Sequence, residues 1–329
     1  MRKLLLAMLF VALARRAHAE GVTIKLGTLA PQGSTWHDLL REMGQRWEEV
    51  SGGQVKLRIY AGGTQGGEAE MVRKMAVGQL QAASISNFGM HDIAAEPAGL
   101  TIPFIFRDEE QMQCAFKKTR PRIDEVLQQR GYVPVQWTTV GNIQLFCDKP
   151  HHSPADMDEA KIWVWEGDPK SVEAFRLAGL KPMVLSSSDI IPALQTGMID
   201  CVPNVPLYML TTRLFERAPY MMDTTWAYLT GATLVRRDVW DKVPADLRPK
   251  LIAVAQELGD KVDAEVRRLN QDAIAAMEKQ GLHIVQSDAA AWRAAMEKTR
   301  PAVRGGVVPA DFYDQVIAAR EACGGEAKK

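Results

Sequence analysis

Leu247, Leu251, Val254, Leu258, Val262, Val266, Leu269, Ala273 and Met277 recur at helical spacing late in this chain. The pattern predicts one helix from about Pro244 to Gln280, longer than globular helices normally run. Its other face is polar, so it can lie on a surface and bridge two lobes.

The preceding sequence alternates strands and helices. Val22 to Leu29 reads as a strand, the turn Ala30-Pro31-Gln32-Gly33 follows, and Ser34 to Val50 reads as a helix. Val55 to Tyr60 is a strand, Gly62 to Gly67 a turn, Glu68 to Val77 a helix and Gln81 to Ser86 a strand. Ala94 to Phe106 reads as a buried loop and Asp108 to Arg130 as a helix. Tyr132 to Val140 is a strand that Ile143 to Cys147 continues after Gly141-Asn142. Met183 to Leu185, Met198 to Val202, Trp226 to Val235 and His283 to Val285 are further strands, with helices at Ser188 to Thr196 and Leu207 to Arg217. Such alternation predicts the α/β class with mainly parallel sheets.

Lys161-Ile162-Trp163-Val164-Trp165 predicts a strand with Ile162 and Val164 facing a core and both indoles on the opposite face. Asp168-Pro169 then opens a helix, with Asp168 as N-cap. Two adjacent indoles at a strand end suit the floor of a binding cleft; the alternative is a buried aromatic pair.

Composition sets the compartment and removes some partners. The chain has 329 residues, is 24% charged and carries no formal net charge, so nothing favours nucleic acid or an anionic membrane. Arg2-Lys3, the apolar run Leu4 to Ala14 and Ala17-His18-Ala19 predict a secretory signal over residues 1–19, with Glu20 first in the mature protein. No later segment is apolar enough to span a bilayer, so a soluble, exported, periplasmic protein is expected. Disulfides are permitted there, but Cys114, Cys147, Cys201 and Cys323 are spaced too irregularly for a pairing to be deduced.

The enzyme readings are thin. Gly62 to Gly67 lacks both the phosphate-loop ending and the dinucleotide spacing. His151, His152, Asp156 and Asp158 have no ligand spacing and read as a loop. No nucleophile elbow is present, and His37 or Glu166 would be a base without a nucleophile or metal. Neither cofactor nor metal is expected.

Several segments in order complete the pattern. They are Thr28 to Ser34, Tyr60 to Glu68, Ser153 to Met157 before Lys161-Ile162, and Ala193 to Asp200 before Asn204. Together they resemble the solute-binding receptors of tripartite ATP-independent periplasmic (TRAP) transporters, the DctP-like family, over nearly all of the mature chain. The resemblance implies a two-lobed periplasmic binding protein fold with crossing strands and a long inter-lobe helix. It also implies a small ligand trapped on closure, delivery to membrane permease subunits, and action as a monomer. The expected division is residues 20–141 and 229–268 in lobe I, and 142–228 and 269–329 in lobe II.

The departures from the family bear on the ligand. Members that carry organic acids have an arginine where this chain has Trp163, and some have a second where it has Ile143. Asn204 matches the family's cleft asparagine. An anion buried without a cation is disfavoured, so a neutral or largely apolar ligand is expected. A carboxylate held some other way and a cation over the indoles are the alternatives. Trp163, Trp165, Trp36, Trp226 and Asn204 are the ligand-binding candidates, with Gln65, Ser86, Asn87 and Glu166 completing the set. A secreted enzyme and a periplasmic sensor without a permease are the competing functions.

Overall fold

The computed structural model describes residues 21–166 and 169–324. The expected signal segment, Glu20 and the Asp168 cap lie outside them. The first half contains β1 (Val22–Thr28), α1 (Thr35–Val50), β2 (Val55–Tyr60), α2 (Glu68–Ala76), β3 (Ala82–Ser86), α3 (Asn87–Met90), α4 (Glu109–Gln129) and β4 (Tyr132–Cys147). There follow β5 (Lys161–Trp165), α5 (Pro169–Leu177), β6 (Lys181–Leu185), α6 (Ile190–Gln195), β7 (Cys201–Asn204), α7 (Pro206–Thr211), β8 (Tyr220–Met222) and β9 (Ala227–Arg236). The chain ends with α8 (Arg237–Trp240), α9 (Arg248–Glu278), β10 (His283–Val285), α10 (Ala289–Glu297), α11 (Arg300–Val303) and α12 (Ala310–Ala322).

Side-chain caps start two of the longer helices. Ser34 accepts the His37 N–H at α1, and Asp108 accepts the Gln111 N–H at α4. The expected helix from Leu207 to Arg217 is interrupted, because Arg213 adopts a left-handed backbone conformation at φ 57°.

The strands run β2-β1-β3-β9-β4-β7-β5-β6, mostly parallel, with β8 and β10 added beside the end of β4. β4 joins two halves of this sheet. Up to Ile143 it pairs antiparallel with β9, and from Gln144 onward it pairs with β7. Register shifts at Pro134/Gln136 and Thr139/Gly141 bend it on the way. Each half is covered on both faces, as mainly parallel sheets require. Met71, Leu100, Met112 and Leu127 pack on one face of the first half, and Leu40, Trp47, Leu251 and Leu258 on the other. Ile143, Ile162 and Trp292 pack on one face of the second half, and Phe146, Trp165 and Met221 on the other.

α9 bridges the halves, as its length foretold. It begins at Arg248, because Pro244 to Leu247 form a turn in which the Leu247 N–H donates to Pro244 O. Leu251 to Val266 pack on the first half, and Met277 packs in the second. Leu269, expected on the apolar stripe, is half-buried, and Asn270 occupies the buried position instead. Asn270 Oδ1 accepts the Leu207 N–H at 3.0 Å, and its Nδ2 donates to Val140 O at 3.4 Å and Val266 O at 3.0 Å. About two turns earlier on the helix, Asp263 accepts Thr138 Oγ1 at 2.8 Å and the Thr139 N–H at 2.5 Å. The bent crossing of β4 is thus fastened to the long helix.

Two disulfides close the fold, Cys114–Cys323 and Cys147–Cys201. The first bears on the expected division, which assigns residues 269–329 to lobe II. Phe312, Tyr313 and Val316 of α12 pack in the cluster that holds Met112, Ile123 and Leu127 of α4. Cys323 is bonded to Cys114 on α4 itself. Apolar faces of both helices need cover, and they cover each other.

Candidate functional site

A cavity of about 140 Å³ lies where the carboxyl ends of four strands converge. Thr28 of β1, Ser84 to Ser86 of β3, Trp163 and Trp165 of β5, and Pro203 and Asn204 of β7 reach it. Carboxyl ends are where α/β sheets leave room for ligands, because the strands there feed into loops and helix starts. Trp36 on α1 and Thr138, Val140 and Ile143 of the crossing strand complete much of the wall. Residues from both halves of the sheet therefore face the same space.

The indole pair is both wall and core. Trp163 is 7% exposed and Trp165 is 3% exposed, and both pack with Phe146, Ile190 and Leu194. Ile162 and Val164 are buried as well, so the strand has no solvent face. The choice between cleft floor and core pair is not exclusive here. Trp163 Nε1 donates to Leu185 O at 3.1 Å, which fixes its ring against the neighbouring strand β6. Trp165 stands edge-on to His91, with ring centroids 6.4 Å apart, and its buried Nε1 has no acceptor. Trp36 Nε1 likewise has none.

The charge of the site is set by one acid. Among the described residues, no Lys or Arg lines the cavity, and Glu68 does. Glu68 is 6% exposed at the first turn of α2. It accepts the Ser86 N–H and the Ser86 hydroxyl, both at 2.6 Å, and a further backbone hydrogen bond from Gly89. Burial nevertheless pushes its pKa above the usual carboxylate range, against those donors. Tyr208, also on the wall, is raised by burial, with Glu68 adding to it.

The remaining candidates are distributed differently. Asn204 is on the wall, and its Oδ1 accepts the Val205 N–H at 2.8 Å. Ser86 is on the wall too, but its hydroxyl is committed to Glu68. Asn87 is not on the wall: it is fully buried, with Nδ2 donating to Pro97 O and Thr101 Oγ1, and braces the loop that follows. Gln65 stays in its turn, half-buried, where its carbonyl accepts Lys74 Nζ at 3.0 Å. Glu166 is half-buried at the end of β5 and is absent from the described wall. Trp226 lines a second cavity and packs on Phe104 and Trp292 at 5.5 and 5.4 Å between centroids.

Glu68, Tyr208 and Phe88 are wall residues that sequence reasoning passed over. Glu68 had one local signal, an acid opening a helix after a glycine turn, but that pattern also complements a helix dipole. Its approach to Ser86 is a tertiary contact.

The enzyme candidates are occupied with structure. His37 Nδ1 accepts the Gly33 N–H at 3.1 Å. In the loop weighed for a metal, Asp156 accepts the His152 and Ser153 N–H groups, and His152 Nδ1 meets Gln286 O. Cys147, His151 and Cys201 place their ligand atoms within 4.8 Å of one another, but the two sulfurs are bonded together and are not thiolates.

Three comparisons bear on this arrangement. Residues 26–304 match the family model of bacterial extracellular solute-binding protein, family 7. The chain is 26% identical over 290 residues to a solute-binding protein of Roseobacter denitrificans, covering 85% of this chain and 86% of that one. It is 25% identical over 300 residues to the C4-dicarboxylate-binding periplasmic protein of Rhodobacter capsulatus, covering 86% and 87%. A TRAP periplasmic solute binding protein from Desulfovibrio salexigens, crystallised with bound orotic acid, superposes with a TM-score of 0.84 at 18% identity, over 92% of this chain and 99% of that one.

Proposed function

Because the chain belongs to family 7 of the bacterial extracellular solute-binding proteins, a family of TRAP-type receptors and not of enzymes, we propose that it captures a neutral or largely apolar small molecule between two lobes. The carrying observation is the charge of the wall. Trp163 and Ile143 stand where the resemblance puts arginines, and the described lining offers one buried acid and no base. A carboxylate would meet Glu68 without a compensating cation, a combination that costs several kcal/mol.

The lobes of this reading meet where β4 changes partners, near Gly141 to Gln144. One lobe comprises residues 20–141 and 229–268 with α12 added, and the other the remainder. Closure across Asn270 and the β4 bend traps the ligand, and a TRAP permease receives it. No described helix is long and apolar enough to cross a membrane. Export by cleavage after Ala19 fits a periplasmic receptor.

The relatives point the other way on ligand chemistry, toward dicarboxylate and orotic acid. Mass spectrometry of the molecule that co-purifies with exported protein decides between these classes. A neutral species is expected, and small-angle scattering should show compaction when it is added back to stripped protein. A carboxylate would overturn the ligand reading. An unchanged radius at saturation would overturn capture by closure.

A further inference from the structure

The Cys147–Cys201 bond sits beside a histidine, away from the cavity. Cys147 ends β4 and Cys201 opens β7, and the two stand opposite each other in antiparallel register. The ladder continues to Gln144 and Asn204, so strand pairing as well as the disulfide holds the two cysteines together. Both are almost fully buried, in the cluster that contains Leu145, Met157 and Ile162.

His151 follows on the loop after β4. One of its ring nitrogens and the two sulfurs lie within 4.8 Å of one another. Nδ1 meets Asp156 O at 2.8 Å, and a carbonyl only accepts, so Nδ1 carries the ring proton. In the neutral imidazole Nε2 then bears the lone pair, and Nε2 is buried without a hydrogen-bond partner. The Asp156 side chain pins its own loop by accepting the His152 and Ser153 N–H groups. A backbone carbonyl on the far nitrogen is how ligating histidines are oriented. Among the described residues, no other three His, Cys, Asp or Glu side chains come so close.

While the sulfurs are bonded, the set has no thiolate to offer. Reduction turns it into two thiols and an imidazole, a Cys₂His set that zinc binds with a fourth position left for water. Two thiolates at about 2.3 Å from one tetrahedral ion sit about 3.8 Å apart. Side chains opposite each other on paired strands can span that distance.

We propose that Cys147, Cys201 and His151 form a redox-gated zinc site, masked by the disulfide and unmasked by a dithiol reductant. The reductant's two thiols give up two electrons and two protons and close to a disulfide. Cys147 and Cys201 take up both and become thiols. Zn²⁺ then displaces those protons and forms two zinc–thiolate bonds and one bond to His151 Nε2, with water as the fourth ligand. Bare thiolates would be costly among these apolar neighbours, and the ion supplies the charge that pairs them.

Zinc titration of the exported protein tests this. The oxidised protein should take up no zinc here. Protein reduced with a phosphine, which leaves the same two thiols and competes weakly for metal, should bind a single Zn²⁺ per chain. Co²⁺ in its place should show thiolate charge-transfer absorption and the visible bands of tetrahedral coordination. His151→Ala, which leaves the disulfide and the oxidised fold in place, should weaken zinc about tenfold or more. Cys147→Ser with Cys201→Ser should remove the tetrahedral cobalt bands. A reduced protein that binds no zinc overturns the site. So does zinc binding that His151→Ala leaves unchanged, including binding by chains that near-ultraviolet circular dichroism shows to have unfolded on reduction.

Discussion

At the scale of single residues, Trp163 and Glu68 define the site between them. Trp163 contributes an apolar ring to the wall and a hydrogen bond to β6. Trp163→Ala should weaken ligand binding by about 2 kcal/mol or more. It should also lower unfolding stability by roughly 3–5 kcal/mol, since the ring is in the core as well. Calorimetry and chemical denaturation read the two losses separately, and normal affinity in a destabilised variant would remove Trp163 from the wall. Glu68 gives a pH signature. Its folded pKa is raised by burial, so the folded state binds its proton more tightly than the unfolded chain. The stability it contributes is full below the ordinary carboxylate pKa and is lost as pH rises through the folded value. Thermal melts from pH 4.5 to 7 should therefore show wild type losing stability relative to Glu68→Gln as pH rises. A constant gap would place the Glu68 pKa at its ordinary value.

At the scale of elements, the junction of β4 with α9 is held by polar side chains on the helix. Gly141 sits in the second register shift of β4 with φ at 140°, a conformation that disfavours side chains. A Cβ there would lie 2.5 Å from Asn270 Nδ2. Gly141→Ala should thus displace the amide that holds Val140 O and the Leu207 N–H, costing about 1–3 kcal/mol. Urea unfolding measures this, and an unchanged midpoint would show that Asn270 yields without loss. The sequence marked Gly141-Asn142 as an interruption in an extended run and read strand on both sides, as observed. It did not mark Asn270, because an asparagine on a helix gives no sign of the carbonyl it will meet from a strand 130 positions away.

At the scale of the whole molecule, the Cys114–Cys323 bond fastens the last helix to the first half of the sheet. It spans 209 positions, so its loss frees a long loop in the unfolded chain. Cys114→Ser with Cys323→Ser should lower stability by about 2–5 kcal/mol. The effect should be read by denaturation in the absence of reductant. A double variant as stable as wild type would mean that packing of Phe312 and Val316 alone secures α12.

The sequence by itself determined the α/β alternation, the bridging helix, the indole pair on β5 and the lack of arginine at the family's cationic position. Each is written in residues that neighbour one another along the chain, as a period of two, a period of 3.6 or a substitution at a fixed place in a motif. Tertiary structure alone decided the cysteine pairing and the attachment of α12 to α4. It also turned Glu68 toward the cavity and drew Asn87 away from it. Those outcomes depend on which buried surfaces and polar groups must satisfy one another across the fold. Alternation along β5 could say that Ile162 and Trp163 face opposite ways, but only packing from both halves of the molecule could bury both faces.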